Sequence, residues 1–199
     1  MGGNDDVYRS TQVPRLIKDD FPLDFDKDFM KYRGVELHGK KVGIIGLGTI
    51  GNEIAKRCAG LGMEVRYWSH SPKQNGYTSI ELAALIAESD FIFPTMAVND
   101  ETKSLLNDAL MQTMKPSAIL ISIVHGLFNE DLIVEMVKQG KLYGFGFEAE
   151  PQSFKNYTGN IWAAPSYAWA TDGSMHNSMV LWVDNMVNAS KGRFPNKVN

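Results

Sequence analysis

An apolar run, Lys41-Val-Gly-Ile-Ile-Gly46, passes directly into Gly46-Leu-Gly48-Thr-Ile-Gly51, and a helical stripe of Ile50, Ile54, Cys58 and Leu61 follows over residues 49–60. Strand, glycine turn and helix together make a unit of roughly thirty residues, the context in which the spacing G-x-G-x-x-G carries meaning. The three glycines do different things. Gly46 permits the tight turn, Gly48 lets the backbone approach a pyrophosphate, and Gly51 lets helix and strand pack closely. The anion then rests on the free N–H groups of the helix N-terminus. Thr49 and Ile50, inside the turn, join the three glycines as expected contacts of a dinucleotide. Without a ligand the same residues would make only a tight turn.

The rest of the chain repeats the pattern. Glu64–Trp68, Phe91–Met96, Ala118–Ile123, Tyr143–Phe147 and Ile161–Ala164 read as strands. Thr78-Ser-Ile-Glu81 reads as a capping box that opens a helix through Leu82, Leu85 and Ile86. A short helix near 107–114 is stopped by Lys115-Pro116. Asn129 caps another, with Glu130 and Asp131 in its first turn, Leu132, Ile133, Met136 and Val137 on its buried face, and Gly140 at its end. A last helix over 172–190 is predicted to bury Met175, Met179, Val183 and Met186. Continuous apolar strands alternating with helices specify a parallel sheet covered on both faces, the α/β doubly wound Rossmann dinucleotide-binding fold. Residues 34–199 form one such domain. Residues 1–33 form an N-terminal arm whose Phe21, Phe25, Phe29 and Tyr32 share a helical face. So short a stripe cannot bury itself, which predicts a homodimer with the arm and the 151–165 loop across the interface.

Composition sets the outer limits. The charge sum of 20 basic and 23 acidic residues is −3, which argues against a nucleic-acid partner. One cysteine, Cys58, allows no internal disulfide and no cysteine metal cluster. His38, His70 and His176 show no ligand spacing, so no metal site is expected. No apolar run reaches the roughly 18 residues of a membrane span. The opening Met1-Gly-Gly-Asn-Asp-Asp6 is neither a signal peptide nor a myristoylation site. A cytoplasmic protein is the expectation.

Val35 to Gly51, Asn99-Asp-Glu-Thr102, Met114-Lys-Pro116, Ala168-Trp-Ala-Thr171 and the ending Lys197-Val-Asn199 resemble, in order and spacing, the cofactor domain of the D-isomer-specific 2-hydroxyacid dehydrogenases. The resemblance implies reduction of small 2-keto acids with NADH or NADPH by dimers built through the cofactor domains. It also implies about a hundred residues of substrate domain ahead of the arm, which this sequence does not contain. The catalytic arginine, glutamate and histidine of that family fall on His125, Glu150 and Ser166, with Glu148 a rival for the glutamate because the segment is one residue short. Arginine supplies a permanently charged fork, whereas histidine offers one charge when protonated. A serine hydroxyl is no general acid near neutrality. A His125–Glu150 pair is a conceivable substitute acid–base couple; the alternative is a vestigial site in which His125 merely caps a loop.

Cofactor choice falls on the end of the second strand, Trp68-Ser69-His70-Ser71-Pro72-Lys73. An NAD site places Asp or Glu there for the ribose 2′-OH. Ser69 stands in its place, and Ser69, His70 and Lys73 suit a 2′-phosphate, so NADP is favoured over NAD; a solvated turn with no preference is the alternative. Met96 and Ala97, past the third strand, complete the expected contacts. Two functions follow: an NAD(P)-dependent oxidoreductase that is weak or inactive alone, or a non-catalytic dinucleotide-binding or dimerisation module.

Overall fold

The computed structural model describes residues 34–71, 76–148, 157, 159–166 and 169–195. The chain divides into two units, Met1–Ala164 and Pro165–Asn199. In the first, β1 (Lys41–Ile45), α1 (Thr49–Gly60), β2 (Glu64–Trp68), β3 (Thr78–Ser79), α2 (Leu82–Glu88), β4 (Phe91–Pro94), α3 (Asp108–Met111), β5 (Ile119–Ser122), α4 (Glu130–Lys138), β6 (Gly144–Glu148) and β7 (Ile161–Ala164) follow in chain order. The seven strands form one sheet in the order β3-β2-β1-β4-β5-β6-β7, every pairing parallel. This is the doubly wound architecture that the strand pattern predicts.

The core lies on both faces of the sheet. Val42, Ile44, Ala55, Cys58, Val65 and Tyr67 fill one side under α1. Ile45, Ile86, Ile92, Leu120, Ile133 and Phe145 fill the other. Successive strand residues point to opposite faces, so burial of both Ile44 and Ile45 requires an apolar run without alternation. At the N-terminal edge Asp90 ties three strands together. Its carboxylate accepts from the Lys41 N–H (2.9 Å) and from Lys115 Nζ (3.0 Å), while its own carbonyl accepts from the Ile119 N–H (2.9 Å).

Four local expectations are corrected. The buried face of α1 is Gly51, Ala55 and Cys58; Ile50 and Leu61 are exposed. Small residues win that face because the helix lies close against the turn, where bulk has no room. Thr78 and Ser79 do not cap a helix. They pair with Arg66 and Tyr67 as edge strand β3, and α2 starts after Glu81 with no side-chain cap. Leu132 on α4 is only partly buried, whereas Ile133, Met136 and Val137 are buried as expected. In the second unit α5 (Asp172–Ser190) has its predicted bounds, with Thr171 capping it through the Ser174 N–H. Its expected core stripe is not core: Met175, Met179, Val183 and Met186 are exposed. A helical stripe is buried only by a facing surface, which periodicity alone does not supply. No helix among the described residues is long and apolar enough to cross a membrane.

Candidate dinucleotide site

The sheet order reverses between β1 and β4, and such a switch point opens a crevice at the carboxyl ends of the strands. Ile45 is in register with Trp68 of β2 and Pro94 of β4, so the residues after these three strands share one edge. Gly46 leaves β1 with φ +94°, a left-handed conformation that favours glycine, and a Cβ there would lie 2.6 Å from Met96 Cγ. The Gly46 N–H donates to the Trp68 carbonyl at 2.8 Å. Gly51 is needed for contact: a Cβ would collide with the Gly46 carbonyl oxygen and lie 2.9 Å from Thr95 Oγ1.

Gly48 is different. Its backbone is extended, at φ −80° and ψ −159°, and an added Cβ would meet nothing. Neither conformation nor internal packing requires glycine there. No side chain caps α1 and no acid stands in its first turn, so the N–H groups that a helix leaves unpaired at its start face outward. These are the features of a cradle for a bound anion: an exposed helix N-terminus, positive by its dipole, with the adjoining backbone bare.

Two residues that brace the turn escape sequence reasoning. Asn52 Nδ2 donates to the carbonyls of Leu47 (3.1 Å) and Gly48 (2.8 Å). Thr95 Oγ1 donates to the Gly46 carbonyl, and its N–H donates to the Ile45 carbonyl at 2.8 Å. An asparagine inside a helix was the available signal, since its amide bonds the backbone more readily than it favours helix. Thr49 and Ile50 are exposed beside the turn, Met96 is half-buried against it, and Ala97 is exposed with its carbonyl bonded to Thr102 Oγ1 (2.8 Å). Past β2, Ser69 is half-buried with its hydroxyl directed to the Ser71 carbonyl (3.4 Å), and His70 is exposed. Lys73 lies outside the described residues.

The expected catalytic positions are distributed unevenly. His125 follows β5 in a turn closed by Ser122, whose hydroxyl accepts from the Val124 N–H (3.2 Å) and donates to the Val124 carbonyl (2.8 Å). Its Nδ1 lies 2.9 Å from Oε1 of Glu130, a partner the sequence did not suggest. Glu148 ends β6, half-buried; Glu150 lies outside the described residues. Ser166 belongs to the second unit, where its carbonyl accepts from Trp169 Nε1 (3.1 Å).

Fold and turn together define a Rossmann-type NAD(P)-binding domain. The chain belongs to the D-isomer specific 2-hydroxyacid dehydrogenase family, whose NAD binding domain its residues 19–168 match. The glyoxylate reductase of Thermococcus onnurineus is 30% identical over 177 residues, covering 83% of this chain and 53% of that protein. The glyoxylate reductase of Pyrococcus horikoshii is 32% identical over 177 residues, covering 82% and 52%. The chain thus spans about half the length of these curated relatives. Among solved structures, an acyclic imino acid reductase in complex with NADPH and D-Arg superposes with a TM-score of 0.82 at 21% identity, over 97% of this chain and 64% of that one. That likeness is one of fold.

Proposed function

We propose that the chain binds NADPH at least as well as NADH at the Gly46–Gly51 turn, as the cofactor half of a reductase for small 2-keto acids with weak turnover of its own. The observation that carries the binding is Gly48, a glycine that nothing among the described residues requires. Gly46, Gly48, Thr49, Ile50 and Gly51 would hold the pyrophosphate side, with Met96 and Ala97 beside them. Ser69, His70 and Lys73 would meet the 2′-phosphate, since no acid at 69–73 opposes it. The bound cofactor supplies a hydride. What the chain's own residues must add is orientation of the keto acid, charge for its carboxylate and a proton for its carbonyl oxygen. The altered residues at 125 and 166 weaken the last two, and they favour the second reading, a non-catalytic dinucleotide-binding module. We further infer a cytoplasmic homodimer from the lone cysteine and the aromatic stripe of the arm.

The test compares two glycines. Gly48→Ala should leave thermal stability nearly unchanged, because φ is ordinary and the Cβ has open space, yet weaken NADPH binding at least tenfold by fluorescence titration. Gly51→Ala should lower both. Native NADPH affinity in Gly48→Ala would overturn the reading.

A further inference from the structure

We propose that α5 is an interaction surface for a second copy of itself, the two helices packing antiparallel about a twofold axis. Met175, Met179, Trp182, Met186 and Ala189 follow one another at spacings of four, three, four and three, a seam along one side of the helix, with Val183 beside it. The seam is bare: Met179 is 60% exposed, Trp182 64% and Met186 65%. The partly covered residues of α5 are Ser174, Ser178, Asn185 and Asn188, all off the seam. The helix thus covers polar side chains and leaves its apolar ones open, the reverse of a helix whose apolar stripe has met its packing surface. It also lies beyond residues 19–168, the stretch that matches the cofactor domain.

Charge, register and area favour a second copy as the occupant. The first turn of α5 carries Asp172, and the chain just past its C-terminus carries Lys191 and Arg193. A parallel pair would set acid on acid and cation on cation. An antiparallel pair sets Asp172 of each copy beside Lys191 and Arg193 of the other, and it opposes the two helix dipoles. Centred on Trp182, the antiparallel register brings Trp182 to Trp182, Met179 to Met186, and Met175 to the small Ala189. Every contact is then made twice, as an isologous interface requires. The seam with Val180, Val183 and Val187 offers on the order of several hundred Å² of apolar surface, the scale of the roughly 800 Å² that each partner gives to a stable interface. Met and Trp are the residue types enriched at such interfaces.

Sedimentation of the full chain at low salt supplies the test. A dimer is expected, and Trp182→Glu should raise its dissociation constant at least tenfold. Circular dichroism and the melting temperature of the subunit should stay native, because the side chain is already exposed. Asp172→Lys should weaken the dimer at least threefold, Lys191→Glu with Arg193→Glu should do the same, and the three together should restore it. Asp172 and Lys191 stand at opposite ends of a 19-residue helix, about 28 Å long, so restoration can come only from the other copy. The aromatic stripe of the arm is a separate proposed surface. The series is therefore repeated in Phe25→Ala with Phe29→Ala, where the α5 substitutions should act as before. NADPH affinity should not change in any α5 variant, so failure here leaves the dinucleotide reading untouched. A monomeric native chain, or association indifferent to Trp182→Glu, would mean that α5 is covered by something other than its own copy and would overturn the proposal. An Asp172→Lys defect that persists after the paired reversal would overturn it as well.

Discussion

The proposed cofactor preference turns on the side chain at Ser69. An aspartate there would accept from a ribose 2′-OH and repel a 2′-phosphate, so Ser69→Asp should move the NADPH-to-NADH affinity ratio at least tenfold toward NADH. Equal titrations of the two variants would show that this turn does not read the ribose. The glycines divide in a related way. Their spacing was legible in the sequence, and so was the tight turn at Gly46. That Gly51 is held by Thr95 and the Gly46 carbonyl, while no described residue crowds Gly48, became visible only with the neighbours in place. The sequence reads His125 as an altered position, and its contact with Glu130 was not legible there. Glu130 read as a first-turn acid complementing the helix, and it also meets the ring five residues back because the Ser122–Gly126 turn doubles the chain.

Elements were read best where the signal is local. Asn107, Asn129 and Thr171 all accept from the N–H three residues on, as capping residues do. Thr78-Ser-Ile-Glu81 carried the same local signal and failed, because pairing with β2 offered its backbone a better set of bonds. Asp90 shows how the strands are pinned at their other end. Burial alone would push its carboxyl up; the Lys41 N–H and the Lys115 ammonium outweigh that and hold it below the ordinary carboxylate range. A carboxyl with a lowered folded value stabilises above its unfolded value, near 4, and loses that contribution as pH falls through the folded one. Asp90→Ala should cost about 1–3 kcal/mol at pH 7, since it strands the Lys41 N–H and removes the partner of Lys115. The gap to the native chain should narrow in thermal melts taken from pH 7 to pH 3. A gap constant across that range would show that the charge does not contribute.

For the whole molecule the first expectation is low turnover. General acid–base catalysis is worth about 10²–10⁴-fold, and one well-placed donor to a developing charge about 10²–10³. If His125 and Ser166 stand in the catalytic positions, as proposed, the chain alone should reduce glyoxylate, hydroxypyruvate or pyruvate far below an ordinary rate near 10 s⁻¹. A native rate of that order would refute the weak-site reading. The second expectation is a dimer at tens of micromolar in sedimentation, weakened by Phe25→Ala with Phe29→Ala, since each buried aromatic contributes roughly 1.5–3 kcal/mol. A native monomer would end that proposal. By itself the sequence determined the parallel sheet, the positions of six of its seven strands, the glycine turn and most helix bounds, because periodicity, caps and glycine conformations are local properties of a chain. The tertiary structure alone decided which face of α1 is buried, that Asn52 and Thr95 brace the turn, that the Met175–Met186 stripe is exposed, and that Glu130 holds His125. Each of these depends on a surface or partner that another segment brings, and no spacing along the chain records what will stand opposite it.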